Sequence, residues 1–259
     1  MDVEFATSKD GTQIGYDRSG EGPAVILVSG GSVDRSSNAP VGALLAGGLT
    51  VFNYDRRGRG PSGDTPSYAV QREVEDLEAV IGAAGGSAFV YGTSSGAALV
   101  LEAAAAGVEM TRLALWEPPY IIDPAMRPPS DTAETFERLV SEGRRGDAVE
   151  FFMADVVGMP AEFVAQARSQ PWWGATEALA HTLAYDARVM GDYSVPVDRA
   201  ELVAAPTLVL VGGASFPFMH ETAEALAKAL PNGEIRSLEG QSHDVAPEVI
   251  TPALKEFFV

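Results

Sequence analysis

The chain has 259 residues, 46% of them hydrophobic, which suits one α/β domain or one domain carrying an inserted subdomain. It has no cysteine, which removes disulfides, thiolate metal sites and cysteine nucleophiles together. Its formal charge of −18 repels phosphate backbones and argues against nucleic acid as a partner, and no apolar run reaches the roughly 18 residues of a membrane helix.

Met1 to Phe5 lacks a basic region followed by an apolar stretch, so no secretory leader is expected and a cytoplasmic location is the simplest reading. Lysine occurs only as Lys9, Lys228 and Lys255, a bias toward arginine that points to a GC-rich bacterial source.

Val3 to Ser19 reads as a hairpin around Lys9-Asp10-Gly11. Ala24–Val28 is a short run apolar on both faces, the pattern of a buried parallel strand, and it ends in Ser29-Gly30-Gly31. Leu49–Tyr54 is a second such strand and leads into Asp55-Arg56-Arg57-Gly58-Arg59-Gly60. Val70–Ala84 has helical periodicity, with Val74, Leu77, Val80 and Ile81 on one face. Ala88–Tyr91 is a strand, followed by Gly92-Thr93-Ser94-Ser95-Gly96 and a helix to about Ala106; Leu113–Trp116 is another strand.

From Tyr120 to Asp198 the strands stop. Amphipathic helices are predicted at 132–142, 147–156, 160–168 and 175–190, punctuated by prolines. Alternation then resumes: strand 206–211, helix 221–230, strand 233–238 and helix 247–258. This order predicts a mostly parallel sheet covered on both faces, built from residues 1–120 and 199–259, with 121–198 as an inserted helical segment.

Gly92-Thr93-Ser94-Ser95-Gly96 has the spacing G-x-S-x-G, with the strand before it and the helix after it that this turn requires. Small residues at 92 and 96 let neighbouring backbone pass, and the tight turn exposes the Ser94 hydroxyl at a helix N-terminus, where N–H groups favour an oxyanion. A hydroxyl needs a base to take its proton. Of the histidines His181, His220 and His243, only His243 lies in a loop after the last short strand, at the same sheet edge as Ser94. His181 falls in the inserted helices and is a candidate for the pocket lining.

In these motifs and their order, the chain resembles the α/β-hydrolase superfamily: the Gly30-Gly31 turn, the Asp55–Ser62 turn, the Ser94 turn and the His243 loop. It is most similar to small bacterial members with a helical cap. The resemblance implies a doubly wound sheet of that type, a Ser–His–acid triad with the acid between the other two in the chain, and a structural role for the arginine-rich turn, with Asp55 and the arginines pairing internally.

The resemblance implies an Asp just after the strand ending at Val211, but Ser215 stands there. Some relatives instead carry a Glu after the preceding strand, where this chain has Trp116-Glu117-Pro118-Pro119. Glu117 is therefore the candidate acid, ahead of Asp244 and Asp34. It would orient His243 and stabilise the imidazolium. Superfamily members often have His-Gly after the first parallel strand; this chain has Ser29-Gly30-Gly31-Ser32, so the oxyanion donors are the N–H groups of Ser95 and of Gly31 or Ser32.

No metal or organic cofactor is expected, because neither a phosphate-binding Gly-Lys loop nor a metal-spaced cluster occurs. Aromatic residues of the insertion and its neighbours, Trp116, Phe152, Trp172, Trp173 and Phe216, are candidates for an apolar pocket. The expected substrate is a small hydrophobic ester, thioester or lactone, with no nucleic-acid or membrane partner. Two other readings remain open: the same site doing lyase, carbon–carbon cleavage, cyclisation or cofactor-free peroxidation chemistry, and a binding protein on this fold.

Overall fold

The short apolar runs pair into one sheet because their backbone groups find partners only in each other once both faces are covered. The computed structural model describes residues 3–259; Met1 and Asp2, part of the Met1–Phe5 stretch on which no secretory leader is expected, lie outside the described residues. The strands are β1 (Glu4–Thr7), β2 (Gln13–Ser19), β3 (Ala24–Val28), β4 (Thr50–Tyr54), β5 (Phe89–Thr93), β6 (Arg112–Trp116), β7 (Thr207–Gly212) and β8 (Gly233–Leu238). They form one sheet in the order β1-β2-β4-β3-β5-β6-β7-β8. The β1–β2 and β2–β4 pairs are antiparallel and the rest parallel. The order reverses at β3: β4 lies on one side of it and β5 on the other. In such sheets ligands bind outside the carboxyl ends of the strands at the reversal. The Ser29–Ser32 loop leaves β3 there, and Ser94 leaves β5.

Helices α1 (Ala39–Leu45) and α11 (Pro247–Phe258) cover one face, and α2 (Val70–Ala83), α3 (Ser95–Ala105) and α10 (Pro217–Ala229) the other. Alternation within β3 feeds both: Val25 and Leu27 pack with Leu45, Ile250 and Leu254, and Ile26 and Val28 with Leu77, Val80 and Leu99.

Between β6 and β7 the chain is helical: α4 (Thr132–Ser141), α5 (Arg145–Phe151), a π-helical turn at Phe152–Val156, α6 (Ala161–Ala167), α7 (Trp173–Ala178), α8 (Leu183–Met190) and α9 (Val197–Ala200), with 3-10 turns at Pro124–Met126 and Ala180–Thr182. These helices build a core of their own from Phe136, Leu139, Val149, Met153, Trp173 and Leu183.

The single helix predicted over 175–190 is broken. Thr182 Oγ1 donates back to the Leu179 carbonyl (2.8 Å) inside the 3-10 turn, a local bond that competes with helix continuation. Helix α10 begins at Pro217, before the predicted start, because proline at the first helical position gives up only an N–H that has no intrahelical acceptor. His220, one residue before the predicted start, therefore lies inside α10. Among the described residues no helix is long and apolar enough to cross a membrane.

Candidate active site

Ser94 sits between β5 and α3 with φ 55° and ψ −126°, a conformation that costs a non-glycine residue about 1–3 kcal/mol. The surroundings hold it there. Its N–H donates to the Trp116 carbonyl (2.8 Å), and its own carbonyl accepts from Ala97 N (2.9 Å). A Cβ at Gly92 would stand 2.7 Å from Ala97 Cα, and one at Gly96 would stand 2.6 Å from the Val28 carbonyl oxygen. Both positions therefore need glycine for close approach. Ser95 opens α3, so its N–H has no intrahelical acceptor.

The loop after β3 packs against this turn. A Cβ at Gly30 would lie 3.0 Å from Ser94 Cβ. Ser32 follows with φ 59°, in the left-handed region. Of the two residues expected as backbone donors, Ser95 follows Ser94 directly and Gly31 lies beside it, a Cβ at Gly31 standing 3.5 Å from Ser95 Oγ.

Glu117 follows β6 directly, also in the left-handed region at φ 44°. Its N–H donates to the Leu210 carbonyl (3.1 Å), which keeps it on the sheet. Its buried carboxylate reaches across the end of β7: Oε1 accepts from Gly212 N (2.7 Å), and Oε2 lies 2.7 Å from His243 Nδ1. Burial pushes the carboxyl up, but the hydrogen bond from His243, the nearby Ser215 hydroxyl and the Gly212 N–H outweigh it and hold the group below the usual carboxylate range. An ionised acceptor at Nδ1 makes that nitrogen the donor and leaves the Nε2 lone pair free. The His243 backbone is anchored as well: Trp116 Nε1 donates to its carbonyl at 2.9 Å. Among the described residues the His243 side chain hydrogen-bonds only to Glu117, and Ser94 Oγ makes no hydrogen bond to it.

The arginine-rich turn is buried, but its partners differ from the internal pairing expected. Asp55 pairs with Arg35, from the loop after β3. Arg56 forks onto Glu73 (2.7 and 2.8 Å) and Arg57 onto Asp76 (2.9 and 2.7 Å), both on α2. Arg56 and Arg59 also reach Asp186 on α8, at 2.7 and 2.9 Å. Sequence reasoning missed Asp186. The available signal was an aspartate among Leu183, Ala187 and Met190 on the buried face of a helix, a place where a carboxylate persists only with partners.

The expected pocket residues divide. Trp116 is buried beneath His243 and Trp173 lies in the core of the inserted helices, so both are packing residues. His181 joins the insertion to the arginine turn: Arg145 Nη2 lies 3.0 Å from its Nδ1, and its Nε2 lies 3.0 Å from the Gly58 carbonyl. Burial, then the Arg145 charge, lower its pKa and keep it neutral. Phe152 is half-buried on the π-helical turn, and Trp172 and Phe216 are exposed. A cavity of about 450 Å³ opens near Tyr68, Pro129, Arg188 and Tyr193, but neither Ser94 nor His243 lines it. Among the described residues no group of three acidic or histidine side chains is arranged to hold a metal ion.

The profile of the alpha/beta hydrolase family matches residues 25–250. Among solved structures, an alpha/beta hydrolase from Sphaerobacter thermophilus DSM 20745 is similar at 52% identity and TM-score 0.92, covering 99% of this chain and 100% of that one. A thermophilic esterase from Thermogutta terrifontis is similar at 22% identity and TM-score 0.75, covering 99% and 98%, a likeness of fold alone. The uncharacterized hydrolase YraK of Bacillus subtilis (strain 168) is 27% identical over 144 residues, 54% of this chain and 53% of that protein, so the chain spans about half the length of this curated relative. The order of motifs, the sheet and the family match agree, and the chain belongs to the alpha/beta hydrolase family.

Proposed function

We propose that this chain is a serine hydrolase that cleaves a small hydrophobic ester, thioester or lactone through an acyl-enzyme. The observation that carries the reading is the 2.7 Å contact between the buried Glu117 carboxylate and His243 Nδ1, at the same sheet edge as the strained Ser94 turn. In this reading Ser94 Oγ attacks the carbonyl carbon and His243 Nε2 takes its proton. Glu117 fixes the tautomer and stabilises the imidazolium. The N–H groups of Ser95 and Gly31 form the oxyanion hole and hold the negative oxygen of the tetrahedral intermediate. The imidazolium returns the proton to the leaving alcohol or thiol. Water, deprotonated by His243, then attacks the acyl carbon; the ester bond to Ser94 Oγ breaks, the imidazolium returns its proton to Oγ, and the acid leaves.

The inserted helices serve as a cap, with Phe152, Trp172 and Phe216 offering apolar surface to the substrate. A surface of net charge −18 disfavours anionic substrates, which favours neutral esters. The similarity to a thermophilic esterase is consistent with this class but shares only its fold.

Hydrolysis of short-chain p-nitrophenyl esters in ¹⁸O-labelled water tests the reaction type. The proposal expects saturable turnover and one solvent oxygen in the acid product. Turnover of an ester or lactone panel no faster than the Ser94→Ala variant, in folded protein, would contradict it.

A further inference from the structure

Asp186 belongs to α8 of the inserted helices, yet its carboxylate ends beneath the Ser94 turn. Oδ1 accepts from Ser95 Oγ (2.8 Å) and Arg56 Nη1 (2.7 Å), and Arg59 Nη2 donates to both oxygens (2.9 Å each). Oδ2 would lie 3.1 Å from a Cβ at Gly31, so the carboxylate also abuts the loop after β3. Arg59 in turn donates to the carbonyls of Gly30 and Val33, the latter at 3.1 Å. One side chain thus ties together the two segments assigned to the oxyanion hole. It holds Ser95 directly and the Gly31 loop through Arg59.

The cluster is electrically balanced, with Arg56 and Arg59 opposing Asp186 and Glu73. Asp186 is buried in it, and the arginines and the Ser95 hydroxyl overcome the upward push of burial to hold its pKa low. A hydrophobic residue on this face of α8 could serve stability as well as a buried ion pair does. What it could not do is orient Ser95 and Arg59.

We infer that Asp186 is a positioning residue through which the inserted helices set the two backbone donors facing the reacting carbonyl. The inference rests on the reading of Ser94 as nucleophile. Asp186 touches no substrate. Donors aimed before reaction stabilise developing charge without having to reorganise, so loosening their support weakens the transition state more than the ground state.

The test compares wild type with Asp186→Asn and Ser95→Ala, using p-nitrophenyl butyrate and an alkyl boronic acid. The tetrahedral boronate adduct on Ser94 reads the donors at equilibrium. Fluorophosphonate titration counts active sites, so any unfolded fraction drops out. Ser95→Ala keeps the backbone N–H and puts a strong helix former at the start of α3, so it reports even if Asp186→Asn folds poorly. In both variants kcat per titrated site should fall about tenfold with KM within about twofold, and the boronate Ki should rise by the same factor. Unchanged kcat per site and unchanged Ki in Ser95→Ala would overturn the inference, because a purely structural role lowers only the titrated fraction. A wild type that neither turns over ester nor reacts with the fluorophosphonate would instead overturn the nucleophile reading, and this inference with it.

Discussion

Replacing Glu117 by Gln is nearly isosteric, yet it breaks a polarity that the fold imposes. The carboxylate accepts from two N–H donors in a buried site, Gly212 N–H and His243 Nδ1–H, each at 2.7 Å, with the rotatable Ser215 hydroxyl nearby. A glutamine has one acceptor and one donor end. If its oxygen stays on Gly212, its NH₂ meets Nδ1 and forces the imidazole proton onto Nε2, where the base is needed. If its oxygen faces Nδ1, two N–H groups oppose each other at Gly212. Losing a charge-assisted hydrogen bond removes about 1.5–3 kcal/mol, and an unsatisfied buried donor or the wrong tautomer adds about 1–3 kcal/mol. Together that is about 2.5–6 kcal/mol on the barrier, a fall in kcat/KM of between roughly seventyfold and roughly 25,000-fold. The assay is ester hydrolysis per titrated active site, with circular dichroism to show that the variant is folded. A folded Glu117→Gln enzyme within about threefold of wild type would refute Glu117 as the orienting acid.

Four further outcomes follow from the same geometry. Ser94→Gly relieves the positive φ and, after the flexibility glycine adds to the unfolded chain, should stabilise by about 1 kcal/mol and raise Tm by about 2–4 °C while abolishing turnover; a lower Tm would argue against strain at the turn. Gly96→Ala drives a methyl against the Ser29 and Val28 carbonyls and should destabilise by about 3 kcal/mol in urea unfolding, whereas a neutral change would mean the loop can yield. Trp116→Phe deletes the bond to the His243 carbonyl, worth about 1 kcal/mol, so kcat/KM should drop about fivefold; an unchanged value would show that Glu117 alone anchors the loop. The folded-state pKa of Glu117 is depressed, so its contribution to stability is complete above the ordinary glutamate value of about 4.3 and is lost as pH falls through the lower folded value. Unfolding free energy measured from pH 7 to pH 3 should therefore decline less steeply for Glu117→Gln than for wild type, and parallel curves would contradict the depressed pKa.

What was legible in the sequence was local or topological. The Ser94 turn announces itself because a strand, a tight turn and a helix each impose short-range composition, and Gly92 and Gly96 mark where backbones cross. His243 and Glu117 are far apart in the chain, but both follow strands of a parallel sheet, so the topology brings them to one edge. Helix α1 went unread, since its seven residues, Ala39–Leu45, are too few for a periodicity to stand out. The break at Ala180–Thr182 depends on a side-chain bond and on the docking of His181 at Gly58, which helical spacing does not encode. Asp186 was invisible for a similar reason: its partners on α3 and in the arginine turn lie far away in the chain. The aromatic residues could not be sorted from sequence because core and pocket demand the same residue types; Trp173 packs in the core of the insertion while Trp172 beside it is exposed.

The most direct test of the central claim is intact-mass labelling with a fluorophosphonate. Wild-type protein should gain a single adduct that maps to Ser94, and Ser94→Ala should gain none. A folded wild type that takes no adduct, from this probe or from a smaller sulfonyl fluoride, would contradict an activated serine at this site and with it the reading of the chain as a serine hydrolase.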